Sequence, residues 1–247
     1  MQENQLLKNR FSELAERAEK RWCWTYSEFL TPAEQAMLCS MKLSVPHTLD
    51  GAYPDAERRL AVFGNELDIG YAAQVPIVCL HIAARNAKFA DDLSHRDFLG
   101  ALMSLGIRRE MLGDILVSDK QAWLLCLESI ADYICSELTQ VRHTVVEVTR
   151  ADELPEAILP QAEARNVVLS SERLDAVIAA VYDLSRSESQ LLIRQAKVFI
   201  NSRAVESTSL LLQPNDLVSV RGHGRFRYSG ICRETRKGRL RADVQVY

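Results

Sequence analysis

The sequence has no long apolar run and few cysteines. None of its hydrophobic stretches reaches the roughly eighteen residues that cross a membrane, and the first residues, MQENQLLKNR, lack the apolar core of a signal peptide. The six cysteines include no C-x-x-C pair and no histidine at metal-ligand spacing. We therefore expect a soluble, cytosolic protein with buried free thiols and no bound metal.

The sequence also lacks the usual signs of catalysis. Its ten glycines form no glycine-rich loop after a strand, so no nucleotide cofactor is expected. The triplet His95-Arg96-Asp97 resembles the catalytic loop of kinases, but Leu102 occupies the position of that loop's asparagine. The five histidines form no triad. We predict a protein that is not an enzyme and has no cofactor.

Charge is distributed unevenly along the 247 residues, a length that predicts two or three domains. The net charge of −3 combines a net of −8 for residues 1–170 with +5 for residues 171–247. Within residues 221–241, eight basic residues stand against one acidic residue, Glu234. The C-terminal part is therefore where binding to a polyanion is predicted.

This basic part begins with two predicted helices. Ser171 is predicted to cap a helix whose apolar residues recur at i, i+3, i+4 and i+7, from Leu174 to Val181. Ser185 and Glu188 form the pattern of a capping box, which marks the start of the second helix, with Leu191, Leu192 and Ile193 as its buried part. The motif KVFIN predicts a short strand, and a turn at residues 214–216 precedes a strand at 217–221.

The start of the second helix suits a phosphate group. Free backbone N–H groups and the positive end of the helix dipole meet at Ser185, and Arg186 adds a fork of donors. An alternative is that Arg173 and Arg186 form local ion pairs with Asp175 or Glu188 on a solvated helix face.

The motifs RLDAVI, SRSES, KVFIN and NDLVSVRGHGRF, in this order and spacing, resemble the S4-type RNA-binding domain. The sequence departs from that pattern at Ala196, where the family usually has a glycine that ends the second helix. The resemblance implies two helices with a small β-sheet, and RNA contacts from Arg173, Ser185, Arg186, Ser187, Arg194, Lys197 and Arg203.

Two predicted strands follow in the basic tail. Arg225 and Arg227 alternate with Phe226 and Tyr228, so the arginines share one face of the strand. We predict further RNA contacts from the tail residues Arg221, Arg225, Arg227, Arg236, Lys237, Arg239 and Arg241. The alternative is that exposed strand arginines serve solubility and protect the sheet edge.

The remaining sequence predicts two more domains, so that the whole chain is α+β. Residues 1–72 are predicted to form a small α+β domain, in which Arg58 and Arg59 are either a secondary RNA contact or a solvated pair beside Asp55 and Glu57. Residues 73–150 alternate in the order βαββαβ, which predicts a ferredoxin-like α/β plait. Its second helix is predicted to be capped by Ser129 with Asp132, and Trp123 is assigned to core packing. Residues 151–170 are predicted to be a linker before the S4-type domain at 171–247.

The segments HRDFLGALMSLGIRREMLGDILV and DGAYPDAERRLAVF resemble the YlmH proteins of bacteria over nearly the whole chain. This resemblance implies a non-enzymatic protein that binds rRNA or tRNA on the large ribosomal subunit, is a monomer off the ribosome, and acts on stalled peptidyl-tRNA in ribosome-associated quality control. Older descriptions of the family imply a link with cell division. Two alternatives stay open: an RNA-modifying enzyme of the pseudouridine synthase or methyltransferase type, and a general RNA chaperone or protein-binding adaptor.

Overall fold

The computed structural model describes residues 2–201, 203–234 and 238–247. The chain divides into two compact units, of which the first extends to Leu159 and the second begins at Pro160. Within the described residues, no helix is both long and apolar enough to span a membrane. Each unit contains helices and antiparallel sheets, so the mixed, multi-domain fold class is confirmed.

The first unit begins with a helix packed on a three-stranded sheet. In chain order its elements are α1 (Gln2–Arg21), β1 (Thr25–Leu30), α2 (Pro32–Cys39), β2 (His47–Asp50), β3 (Arg59–Phe63) and α3 (Glu66–Ile69). The strands are ordered β1-β3-β2. Phe11 and Leu14 of α1 are buried against Ala61 and Phe63 of β3, because apolar residues recur at helical spacing along α1.

The ferredoxin-like plait predicted in the middle of the chain is confirmed. Its elements are β4 (Ile77–Ala84), α4 (His95–Ser104), β5 (Leu112–Ser118), β6 (Gln121–Leu127), α5 (Glu128–Glu137), β7 (Gln140–Val141) and β8 (Thr144–Ala151). The antiparallel sheet has the order β5-β6-β4-β8-β7, and α4 and α5 pack over a core that includes Leu80, Leu102 and Ile134. Phe29 and Leu60 pack against Leu125, joining the two sheets of this unit.

Two details of the plait differ from the prediction. Helix α5 begins at Glu128 with Leu127 at the cap position, so Ser129 lies in the first turn and does not cap the helix. The carboxylate of Asp132 instead accepts a hydrogen bond of 2.8 Å from Arg150 on β8. Trp123 is only half-buried, and its ring stacks on that of His81 with 4.7 Å between the centroids.

The second unit is a six-stranded sheet covered on one face by two helices. Its elements are β9 (Glu163–Leu169), α6 (Leu174–Val181), α7 (Arg186–Arg194), β10 (Val198–Ile200), β11 (Arg203–Ala204), β12 (Leu217–Val220), β13 (Gly224–Glu234) and β14 (Leu240–Val246). The order is β11-β10-β12-β13-β14-β9. Val177 and Ile193 of the helices pack with Val218, Phe226 and Val244 of the sheet, so the opposite sheet face carries the other set of side chains.

The structure places a strand inside the segment that was predicted as a linker. Strand β9 pairs antiparallel with β14, with Leu169 opposite Leu240 and Val167 opposite Ala242. Only Val167 and Leu169 of this strand are buried, because β9 lies at an edge of the sheet. The apolar alternation was therefore too short to predict a strand.

Two predictions about the helices of the second unit need correction. Arg173, not Ser171, is the cap of α6, because the backbone before the helix pairs elsewhere: the Leu212 N–H donates to the Glu172 carbonyl at 3.1 Å. Leu191 of α7 is 54% exposed, whereas Ser189 and Ile193, four residues apart on the opposite side, are fully buried. The capping box of Ser185 with Glu188 is confirmed.

Helix α7 ends in a Schellman motif although Ala196 stands where the S4-type pattern has glycine. The N–H of Lys197 donates to the Leu192 carbonyl at 3.1 Å, and the N–H of Ala196 donates to the Ile193 carbonyl at 3.0 Å. This motif requires a left-handed residue, and Ala196 has φ +52°. The helix end is thus retained, at the cost of a left-handed conformation in a residue with a Cβ.

We expect Ala196→Gly to raise the free energy of unfolding by about 0.5–1 kcal/mol, because glycine adopts the left-handed conformation without steric strain. Ala196 is exposed, so the substitution removes little packing. Urea denaturation of the full chain measures the change. The matched control is Ala179→Gly inside α6, which should lower stability by about 1 kcal/mol. Equal destabilisation by both substitutions would contradict this account.

Candidate RNA-binding site

A buried carboxylate organises the predicted site at the two helices of the second unit. The side chain of Asp175 in α6 is fully buried. Arg173 donates to both of its oxygens at 3.1 Å, Arg186 of α7 donates to Oδ1 at 3.1 Å, and Gln190 donates to Oδ2 at 2.7 Å. The ion pairs considered as an alternative for Arg173 and Arg186 are therefore present, and both arginines use the same aspartate.

The ion pairs leave both arginines partly accessible. About 37% of the Arg173 side chain and 48% of the Arg186 side chain are exposed. Burial opposes ionisation of Asp175, but the hydrogen bonds from Arg173, Gln190 and Arg186 together lower its pKa to about 2. One negative charge thus holds two guanidinium groups close together, and the group as a whole keeps a positive charge.

The two serines at the start of α7 are occupied within the helix end. The Glu188 N–H donates to Ser185 Oγ at 3.2 Å, and the Ser185 N–H donates to the Glu188 carboxylate at 2.8 Å. The hydroxyl groups of Ser185 and Ser187 are 2.9 Å apart. The serines therefore fix the helix start, while Arg186, the first helical residue, is the cationic group there.

Arg186 and Arg239 line one depression in the second unit. Its volume is about 310 Å³, and it is also lined by the small side chains Ala176, Ala179 and Ala180 of α6. Arg239 comes from the segment that leads into β14. The structure thus brings together a helix arginine and a tail arginine that are more than fifty residues apart in sequence.

The sheet face opposite the helices carries the predicted strand arginines. Phe226, Tyr228 and Val244 are buried under the helices, whereas Arg225 and Arg227 point to the other face. The predicted alternation in this part of the tail is therefore confirmed. Arg227 donates to the Asn215 carbonyl at 3.3 Å, which fixes part of this side chain on the sheet.

The other predicted contacts lie at several places in the second unit. Arg194 is in the last turn of α7, and Lys197 and Arg221 are neighbours across β10 and β12, with the Arg221 N–H donating to the Lys197 carbonyl at 2.9 Å. Arg241 of β14 is half-buried, and among the described residues its Nε has no partner. The Arg203 backbone begins β11, while its side chain, together with Arg236 and Lys237, lies outside the described residues.

Sequence reasoning did not select Arg233, Phe199 or Tyr247. Arg233 is exposed and lies opposite Arg241 between β13 and β14. A register shift between residues 228 and 230 breaks the period of two, so only the basic composition of residues 221–241 could have indicated Arg233. The rings of Phe199 and Tyr247 each lie beside an arginine. These contacts depend on strand register, so no local sequence pattern could have predicted them.

Arg58 and Arg59 of the first unit are engaged within the protein. Arg58 is 8% exposed, and its guanidinium donates at 2.9 Å to the carbonyl oxygens of Leu112 and Phe29. Arg59 donates to the carbonyls of Ala56 and Pro54. Burial lowers the pKa of Arg58, although nearby carboxylates such as Glu34 oppose this shift. We therefore exclude both residues from the RNA contacts proposed below.

In the part of the chain that the structure describes, no group of three or more histidine, cysteine, aspartate or glutamate side chains is arranged to hold a metal ion. Burial raises the pKa of the Cys79 thiol to about 11 and that of Cys126 to about 12. Neither cysteine is therefore an activated thiolate. The expectation that the thiols are buried is wrong for Cys39 and Cys232, which are exposed.

Comparison with known proteins agrees with this architecture. Residues 76–153 match the family model described as "Putative RNA-binding domain in YlmH", and residues 172–218 match the S4 domain. The Bacillus subtilis (strain 168) protein named "Ribosome-associated protein quality control protein P2" is 32% identical over 226 residues, covering 89% of this chain and 86% of that protein. The chain belongs to the YlmH family of RNA-binding proteins.

One solved structure resembles part of this chain. It is the "Cell division protein ylmH from Streptococcus pneumoniae", with 18% identity and a TM-score of 0.49, and the match covers 60% of this chain and 91% of that one. The S4 match of the present chain covers residues 172–218, so strands β9, β13 and β14 extend its sheet beyond the matched range.

The lowered pKa of Asp175 predicts an acid-dependent loss of stability. The carboxylate stabilises the folded state above its unfolded pKa of about 3.8, and this contribution disappears as the pH falls towards the folded value of about 2. In urea denaturation, the stability difference between wild type and Asp175→Asn should therefore decrease by about 1 kcal/mol from pH 6 to pH 3. A difference that stays constant over this range would contradict the role of the ionised carboxylate.

Proposed function

We propose that this protein binds structured RNA on the ribosome through the second unit and acts there without catalysing a reaction. The observation that carries the proposal is the concentration of arginines on that unit, some held by Asp175 and some fixed on strands β13 and β14. Residues 171–247 have a net charge of +5 in a chain whose net charge is −3. Such a local cationic surface attracts phosphate groups.

The geometry supports phosphate contacts at the start of α7. The positive dipole end of this nine-residue helix lies at Arg186, its first residue. A guanidinium forms two parallel hydrogen bonds with a phosphate, so Arg173 and Arg186 are suited to adjacent phosphates. Since Asp175 already fixes these side chains, less rotamer freedom remains to be lost on binding.

The ribosome enters the proposal through the Bacillus subtilis relative, whose name describes it as a ribosome-associated quality control protein. The two chains align over most of their lengths, so we propose the same association here. More specifically, we propose binding to rRNA or tRNA on the large subunit and a role with stalled peptidyl-tRNA. Away from the ribosome, we propose a monomer.

The principal competing function is RNA modification. A pseudouridine synthase or methyltransferase would change the nucleotides of its target, whereas a binding protein would leave them unmodified. Incubation with ribosomal RNA, followed by mass spectrometry of nucleoside digests, should yield the same nucleosides with and without the protein. A modified nucleoside that appears only with the protein would replace the binding proposal with an enzymatic one.

Charge reversal at Arg225, Arg227 and Arg239 should weaken RNA binding. For R225E/R227E/R239E, we expect affinity for a ribosomal RNA fragment to fall at least tenfold at 0.1 M salt, because three phosphate contacts become repulsive. The slope of log K against log salt should decrease in magnitude by about 2, because each of the three lost phosphate contacts contributes about 0.7. Fluorescence anisotropy at several salt concentrations measures both quantities, and ribosome co-sedimentation should be lost in parallel.

A matched control distinguishes an effect of the proposed surface from an effect of the total net charge. R10E/R17E/R21E makes the same charge change on exposed positions of α1 in the first unit. This control should bind RNA within about twofold of wild type, and circular dichroism melting should show that both triple variants fold. Equal losses for the two triple variants would mean that total charge, not the proposed surface, controls binding.

A further inference from the structure

In the second unit, the face of the six-stranded sheet that is not covered by helices carries two arginine–aromatic pairs. The guanidinium carbon of Arg221 lies 4.9 Å from the centroid of the Phe199 ring, and that of Arg225 lies 5.1 Å from the Tyr247 ring. Both distances are within the range of a cation–π contact. The family-model match of the S4 domain ends before Arg221, so three of these four residues lie outside it.

Strand register makes these two pairs neighbours. Phe199 of β10 lies opposite Ser219 of β12, and Ser219 lies opposite Arg225 of β13. The Tyr247 N–H donates to the Arg225 carbonyl at 2.9 Å, which extends the same row across the sheet. Val198 and Ile200, which flank Phe199 in β10, are buried under the helices, so this row is on the opposite face.

We propose that this face binds unpaired RNA bases by stacking on the arginine planes, an inference that rests on the RNA-binding function proposed above. An aromatic ring at these distances restrains the position of the guanidinium. Arg221 is exposed and Phe199 is half-buried, so the guanidinium face turned away from the ring is accessible to a base. Bases in RNA stack on aromatic rings and on arginine planes in this manner.

Charge on this face favours RNA as the occupant. Lys197, Arg221, Arg225 and Arg227 all lie on or beside the row, and the acidic side chain of β14 on this face, Asp243, accepts a hydrogen bond of 2.6 Å from Asn166. A cationic groove with stacking platforms is the usual arrangement for single-stranded nucleic acid. A duplex offers phosphates to the same cations, but its base faces are covered by neighbouring base pairs.

Two charge-conserving variants test the stacking. Phe199→Leu removes the ring and keeps all cations, and Arg221→Lys keeps the charge and removes the planar guanidinium. The probes are a fluorescein-labelled single-stranded 12-mer of uridylate and a labelled 12-base-pair RNA duplex. For each variant of the full chain we expect about five- to tenfold weaker binding of the single strand and less than twofold change for the duplex.

Arg165→Lys is the matched control, because Arg165 is exposed on the edge strand β9 of the same unit, pairs with Glu163 at 2.6 Å and undergoes the same exchange of arginine for lysine. It should bind both probes as the wild type does. Circular dichroism melting checks the fold of Phe199→Leu, and Arg221→Lys tests the same contact without altering the sheet.

The outcomes distinguish this inference from the function on which it rests. If wild type binds both probes and the two variants bind the single strand unchanged, stacking is excluded while RNA binding stands. Equal weakening for strand and duplex would mean that the pair orients a phosphate contact, which also overturns the stacking proposal. If wild type binds neither probe nor ribosomal RNA, both proposals fail.

Discussion

The second unit depends on the burial of one negative charge. A carboxylate as fully buried as that of Asp175 is strongly unfavourable unless it is paired and hydrogen-bonded, and this requirement determines its surroundings. Three donors from two places satisfy it: Arg173 before α6, and Arg186 and Gln190 from α7. The same contacts that link the two helices also hold two arginines side by side. Stability and a cationic surface thus have a common physical origin.

The sheet of the second unit places apolar and cationic side chains on opposite faces. Apolar side chains such as Val218 and Phe226 fill the space beneath the helices, so the cations of the same strands must project from the other face. Arginines on regular strands are positioned more rigidly than arginines on loops. Arg221 and Arg225 gain further order from the rings of Phe199 and Tyr247. The extended sheet therefore provides several cations at fixed spacing.

Local signals account for what could be predicted from the sequence. The capping box at Ser185 and Glu188 and the alternation around Phe226 depend on residues close in sequence. Features that depend on distant pairing could not be predicted. Strand β9 forms by pairing with β14, which lies about eighty residues later in the sequence. The burial of Arg58 depends on hydrogen bonds to the carbonyls of Leu112 and Phe29.

The candidate site shows the same division. Its basic composition was evident from residues 221–241, but which arginines adjoin which partners was not. Asp175 could have paired with Arg173 alone, and only the packing of α7 against α6 adds Arg186 and Gln190. Likewise, Phe199 and Arg221 are separated by more than twenty residues, and the register of β10 with β12 brings them together.

The opposite net charges of residues 1–170 and 171–247 bear on how an RNA is approached. Phosphates repel the acidic part of the chain and attract the basic part, so long-range electrostatics favours encounters that begin at the second unit. This steering weakens with salt over distances beyond about 10 Å, whereas contacts within the bound complex are screened less. Under the proposed function, charge asymmetry therefore favours the second unit for the first encounter with RNA, and the fixed positions of its arginines determine which contacts persist.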